Sequence, residues 1–228
     1  NCFCLAPLGA MVHRDPCQVA GLFTPQTNGT CTVQLGKQVV RVPLPTDAEL
    51  AIAASNEQDG IWVNLCEKAI GQARIESRPT EQRTNSVLDV IARGGSAGTV
   101  LSVITGHEIR RFSFKFAKES SVSAQKRDAK LKDLSQQLAE AAKSRRLMTC
   151  GTGKTTTPGL TPNHAYAVLD YTASADTVTL WNPHGGSYSP KGTPGLEHGY
   201  PQRDGIFQIP VADFVRQFSG MAFEVVGE

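Results

Sequence analysis

The feature that most constrains how this chain can fold is a change of hydrophobic period near Gly106. Before it, apolar residues recur at helical spacing. Phe3 to Val12 is apolar nearly all round, Ile61, Leu65 and Ala69 share one helical face, and Ser86 to Ala92 is a short apolar helix stopped by Gly94-Gly95. One small β element interrupts this half, a hairpin of Thr30–Leu35 and Gln38–Pro43 across Gly36-Lys37. After Gly106, Ile109, Phe112, Phe114 and Phe116 have strand character, and a long amphipathic helix follows from about Ala124 to Arg146 with Leu131, Leu134 and Leu138 as its buried stripe. The rest reads as short strands, Ala165–Tyr171, Thr177–Trp181, Gly205–Ile209 and Phe223–Val226, between Gly- and Pro-rich turns. Helices and strands are segregated rather than alternating, which predicts an α+β fold with a helical lobe over 1–106 and a β-rich lobe over 107–228. Pro7 removes a backbone donor, so the first helix is expected to kink there or to start late.

Composition narrows the function classes. With 228 residues, 40% of them hydrophobic, the chain is long enough to bury a real core. Its formal net charge of +2, with no basic stripe interleaved with aromatics, argues against nucleic acid. No apolar run approaches the roughly 20 residues that cross a bilayer, so no membrane partner is expected. The six cysteines, Cys2, Cys4, Cys17, Cys31, Cys66 and Cys150, are spread through a chain too large to need disulfide staples and read as free, mostly buried thiols. Cys2 and Cys4 form a CxC without a second half, so no zinc site is expected. Asn28-Gly29-Thr30 reads as a turn, and Gly185 to Gly199 as a surface loop.

A thiol becomes a useful nucleophile when it is deprotonated, which a helix N-terminus or a neighbouring imidazolium favours. Cys2 begins the first apolar helix. A base must come from elsewhere and be held in one tautomer by an acceptor, a role an amide oxygen can fill. His164 opens one strand, and the partner strand after the turn Ala173–Asp176 ends in Trp181-Asn182-Pro183, so a hairpin would bring His164 and Asn182 together. Each residue alone has a blander reading: a buried thiol, a capping histidine, a turn asparagine. The order of helix-start Cys, strand-start His and strand-end Asn raises the catalytic reading above these.

These residues carry a family resemblance. Asn1-Cys2-Phe3-Cys4-Leu5-Ala6 resembles the calpain motif Asp-Cys-Trp-Leu-Leu-Ala, with Phe3 in the tryptophan position. Asn163-His164-Ala165-Tyr166-Ala167-Val168 resembles Gly-His-Ala-Tyr-Ser-Val, and Leu180-Trp181-Asn182-Pro183-His184-Gly185 resembles the Arg-Asn-Pro-Trp-Gly segment. Weaker matches run along the chain: Ile61-Trp62 with Glu67-Lys68-Ala69, Gly94-Gly95 with Ile104-Thr105-Gly106, and Asp204-Gly205-Ile206-Phe207 followed by Asp213-Phe214.

The resemblance implies a papain-like two-lobe fold and a cysteine endopeptidase working through a thioester acyl-enzyme. Cys2 would be the nucleophile, His164 the base and Asn182 its orienter, acting on protein or peptide substrates. The family's oxyanion donors would be the Cys2 backbone N–H and a glutamine upstream of residue 1. The chain therefore reads as a processed form or fragment, with a separate N-terminal segment expected. His184 stands where the family has the tryptophan that shields the Asn–His bond, and Trp181 is an alternative shield. The family's conventional members are gated by calcium, but part of their first calcium loop lies upstream and no Asp-x-Asp-x-Asp-Gly loop is present, so no cofactor or metal is expected.

Gly151-Thr-Gly-Lys154-Thr155 imitates a phosphate-binding loop, but its opening glycine would fall at Met148 and Pro158-Gly159 fall where its helix should start, so the segment reads as a loop before the histidine strand. Two other readings stay open, a catalytically inert calpain-like interaction module and an acyl or glutamyl transferase.

Overall fold

The computed structural model describes residues 1–52, 60–83 and 86–227. In chain order these form α1 (Cys2–Arg14), α2 (Pro16–Ala20), β1 (Phe23–Pro25), β2 (Thr30–Leu35), β3 (Gln38–Pro43), α3 (Asp47–Ile52), α4 (Trp62–Glu76), α5 (Val87–Ala92) and α6 (Ala97–Thr105). There follow β4 (Glu108–Ser113), α7 (Lys115–Lys118), α8 (Ala124–Lys143), β5 (Met148–Thr152), β6 (Ala165–Thr172), β7 (Thr177–Trp181), β8 (Ile206–Pro210), α9 (Val211–Gln217) and β9 (Phe218–Val225). Helices dominate before Gly106 and strands after it, so the fold is α+β. Among the described residues no helix is long and apolar enough to cross a membrane.

Helix α1 runs from Cys2 to Arg14 with Pro7 inside it, so the late start expected from that proline does not occur. Pro7 deprives the Phe3 carbonyl of its helical donor, at a typical cost of about 3 kcal/mol. Burial offsets this, because Phe3, Cys4, Ala6, Pro7, Leu8, Ala10 and Met11 are all inside. On one flank Gly9 lies so close to Trp181 that a Cβ there would stand 2.2 Å from a ring carbon. A glycine that costs helix stability thus lets β7 approach the helix.

The strands build an antiparallel sheet β1-β2-β3 and a six-stranded sheet in the order β4-β9-β5-β6-β7-β8, each adjacent pair antiparallel. The hairpin β2–β3 turns at Gly36, whose N–H donates to the Ile104 carbonyl at 3.1 Å. Gly36 meets Gly106 so closely that a Cβ on Gly36 would lie 2.5 Å from the Gly106 backbone. One buried cluster joins α1, the hairpin, α4 and α6 with Leu147, Ala165 and Ala167, and another joins Phe112, Phe114, Leu134, Leu138 and Tyr166 with α9 and β9.

Two local expectations are corrected. Phe114 and Phe116 are not in a strand, because β4 ends at Ser113 and the chain turns into α7. Both rings instead pack on Phe112, and Phe114 stands edge-on to Phe214 at 5.0 Å. The Gly151–Thr155 stretch, read as loop, begins inside β5, which pairs with both β6 and β9. No helix follows Lys154 before β6 among the described residues, so a phosphate loop has no helix N-terminus to work with.

Candidate active site

Cys2 is the first residue of α1, and the Asn1 carbonyl accepts the N–H groups of Cys4 at 2.9 Å and Leu5 at 3.2 Å. That places the Cys2 sulfur at the positive end of the helix, where negative charge is favoured. The sulfur is half-buried and accepts a hydrogen bond from the Ala165 N–H at 3.4 Å, which ties the helix start to the start of β6. The next side chain, Phe3, is buried against Gly95, where a Cβ would stand 2.7 Å from two ring carbons. The Arg74 guanidinium covers the ring 5.1 Å from its centroid and donates to the carbonyls of Val90 and Gly94. Phe3 and Arg74 therefore fix the Gly94–Gly95 segment beside the sulfur.

The neighbouring Cys4 is a poor alternative nucleophile. Burial, reinforced by the charge of Glu67, raises its thiol far above the usual range. Cys66 is pushed up to about 12 by burial, then by Glu67 and Cys31, and Cys150 is raised well above its ordinary value by burial.

His164 precedes β6, and its backbone is clamped by the end of β5. Its N–H donates to Thr152 Oγ1 at 3.0 Å, while the Thr152 N–H donates to its carbonyl at 2.9 Å. Asn163, at φ +48°, makes the left-handed step that aims the chain into the strand, and asparagine is among the residues that tolerate it. The His164 ring is buried, with Nε2 2.8 Å from Asn182 Oδ1. An amide oxygen only accepts, so Nε2 carries the proton and Nδ1 is left for other partners. The same oxygen accepts the His184 N–H at 3.0 Å, which fixes which way the amide faces. The hairpin β6–β7 makes this meeting possible, pairing Ala167 with Trp181.

The rings that meet His164 among the described residues are Tyr166, edge-on at 5.0 Å, and His184, tilted at 4.1 Å. His184 thus covers the imidazole, while Trp181 lies against α1 at Gly9. Both histidines are held below the ordinary imidazole value. For His164 burial is the main cause, opposed by the Asn182 hydrogen bond; for His184 burial leads, followed by the charge on His164. The folded protein therefore binds fewer protons than the unfolded chain as pH falls. Stability is complete above the ordinary value of 6.5 and is lost as pH falls through the lowered values. The melting temperature is expected to drop as pH falls below the ordinary imidazole value of 6.5, and to drop less in His184→Gln. Equal slopes in the two proteins would contradict the stacked arrangement.

A cleft of about 570 Å³ opens beside the sulfur, bounded by Cys2, Phe3, Gly95 and Gly98 on one side and by β4, β9, β5 and His164 on the other. Of the residues expected at the site from the sequence, Cys2, Phe3 and His164 line this cleft, and Asn182 and His184 stand against the His164 ring. Sequence reasoning missed Thr152, Arg74 and Arg111, whose roles depend on contacts far apart in sequence. Among the described residues no three His, Cys, Asp or Glu gather as metal ligands.

A sequence model described as calpain family cysteine protease matches residues 18–195, a span that takes in His164 and Asn182 and starts after Cys2. No curated protein matches the chain. With most of its length matched, and with a histidine–asparagine pair beside a helix-start cysteine, the chain belongs to the calpain family of cysteine proteases.

Proposed function

We propose that the protein is an endopeptidase with a Cys2–His164–Asn182 triad, built on a papain-like arrangement of a helical lobe over 1–106 and a β-rich lobe over 107–228. The observation that carries the reading is the 2.8 Å bond from His164 Nε2 to Asn182 Oδ1, on a strand whose first N–H reaches the Cys2 sulfur. The cleft, with residues of 1–106 along one side and residues of 107–228 along the other, supports the two-lobe arrangement.

In this mechanism His164 Nδ1 takes the Cys2 proton, and the thiolate attacks the scissile carbonyl carbon. The carbonyl electrons move onto oxygen, where the Cys2 backbone N–H donates; losing one such donor in a comparable hydrolase costs roughly 3 kcal/mol of barrier. As the tetrahedral intermediate collapses, the C–N bond breaks, His164 protonates the leaving amine and a thioester remains. His164 then takes a proton from water, the hydroxyl attacks the thioester, and the acid product leaves with the thiol restored. Asn182 keeps the ring in one tautomer throughout. Tyr166 and His184 hold the pair in place and limit water around it.

The test is to quench the reaction with a peptide ester and find the acyl group by peptide mapping. The expected adduct lies on Cys2 and disappears in Cys2→Ser. An adduct on another cysteine, or acyl transfer to added amine in preference to water, would overturn the hydrolase reading.

A further inference from the structure

The cleft holds a charge that the triad does not use. Strand register places Ser113, Gly220, Gly151 and Ala165 in one row across β4, β9, β5 and β6, with Arg111 and Ala222 in the next. These positions share one face of the sheet, so small side chains floor the groove that leads from Ala165, beside Cys2, to Arg111 at its far edge. Gly98 leaves room for the arginine, since a Cβ there would stand 2.7 Å from Arg111 Nη1. The guanidinium is oriented by two neutral hydroxyls, Ser96 Oγ at 3.1 Å and Thr99 Oγ1 at 3.0 Å.

No described carboxylate neutralises it. Among the described residues no carboxylate forms an ion pair with Arg111, and none lines the cleft. Burial holds His164, the other ionisable base there, toward its neutral form. Arg111 is exposed to the groove, carries a permanent charge and keeps donors free beyond the two hydroxyls. Its orientation is set before substrate arrives, which lowers the ordering cost of a bond to a carboxylate.

Resting on the endopeptidase reading, we infer that Arg111 is a specificity-determining residue that selects peptides with an acidic side chain near the scissile bond. Three strand spacings separate Ala165 from Ser113, about 14 Å, which about four residues of extended peptide span. The acidic side chain therefore falls within about four residues of the cut. The small side chains beneath the groove leave the backbone room to lie against the sheet.

The test compares kcat/KM for peptides identical except for Glu against Gln, scanned over the four positions on each side of the cut. At one position wild type is expected to favour Glu by about tenfold or more, the yield of one charge-assisted hydrogen bond. Higher ionic strength narrows the ratio. Arg111→Gln is expected to bring the ratio near one, Arg111→Lys to keep part of it, and Arg111→Glu to favour Lys peptides. A ratio near one in wild type at every position, or a ratio unchanged in Arg111→Gln, would overturn the inference and leave Arg111 as a brace between β4 and α6. If no peptide is cleaved at all, the endopeptidase reading fails separately. The charge inference is then decided by whether Glu peptides protect Cys2 from alkylation better than their Gln counterparts.

Discussion

Replacing Cys2 with alanine is expected to lower kcat/KM for a peptide substrate by about 10⁴-fold or more, with His164→Ala falling to a similar level. The two losses should not multiply, because the residues act on one proton and one bond. In the proposed mechanism thiol and imidazole together make the attacking thiolate and protonate the leaving amine, so either alone would leave only binding and the oxyanion donor. Asn182→Ala should cost less, because Nε2–H loses its acceptor while both reacting groups stay. Cys4→Ala is the control: its thiol is buried and far from ionised, so it contributes no nucleophile. Steady-state assays on the folded variants decide this, and a Cys2→Ala protein retaining a tenth of the activity would remove Cys2 from the mechanism.

The second large effect concerns the other end of the same helix. Glu224 on β9 is fully buried and binds Arg14 Nη1 at 2.6 Å, His107 Nδ1 at 2.8 Å and the Leu147 N–H at 2.8 Å. Arg14 closes α1 and also binds Gln18, while its carbonyl accepts from Arg145. One carboxylate therefore anchors α1 to the six-stranded sheet. Glu224→Ala strands a guanidinium and a buried N–H, and removing one partner of a buried pair typically costs about 3–5 kcal/mol. At roughly 2–4 °C per kcal/mol for a chain of this size, the melting temperature should fall on the order of 10 °C. Glu224→Gln, which keeps the shape and one acceptor, should fall less. A thermal melt of Glu224→Ala within about 2 °C of wild type would contradict the anchor.

Residues close in sequence made much of this legible. The hairpin β2–β3 carries its turn at Gly36-Lys37, α8 carries a clean apolar stripe, and the meeting of His164 with Asn182 follows from the length of one β-hairpin. What stayed hidden has physical causes. Strand β5 is flanked by β6 and β9 and buried along nearly its whole length, so Met148–Thr152 shows no alternation between apolar and polar residues. Helix α6 is rich in β-branched residues that favour strands; burial of Val100, Leu101 and Ile104 and the Ser96 cap decide it instead. The first half of β9 contains Gly220, which reads as a strand breaker. It is there because a Cβ would stand 2.6 Å from the Phe112 carbonyl oxygen. Arg111, Arg74 and Glu224 act through partners that no local pattern connects to them. Cys2 lies outside the family match, so its assignment rests on the helix start, the Ala165 contact and the cleft.

The most direct measurement is the rate of Cys2 alkylation by iodoacetamide, followed residue by residue across all six cysteines in wild type and His164→Ala. Cys2 is expected to react well ahead of the buried Cys4, Cys31, Cys66 and Cys150, and its advantage over exposed Cys17 is expected to collapse when His164 is removed. Cys2 reacting no faster than Cys17, or at the same rate with and without His164, would contradict its role as nucleophile.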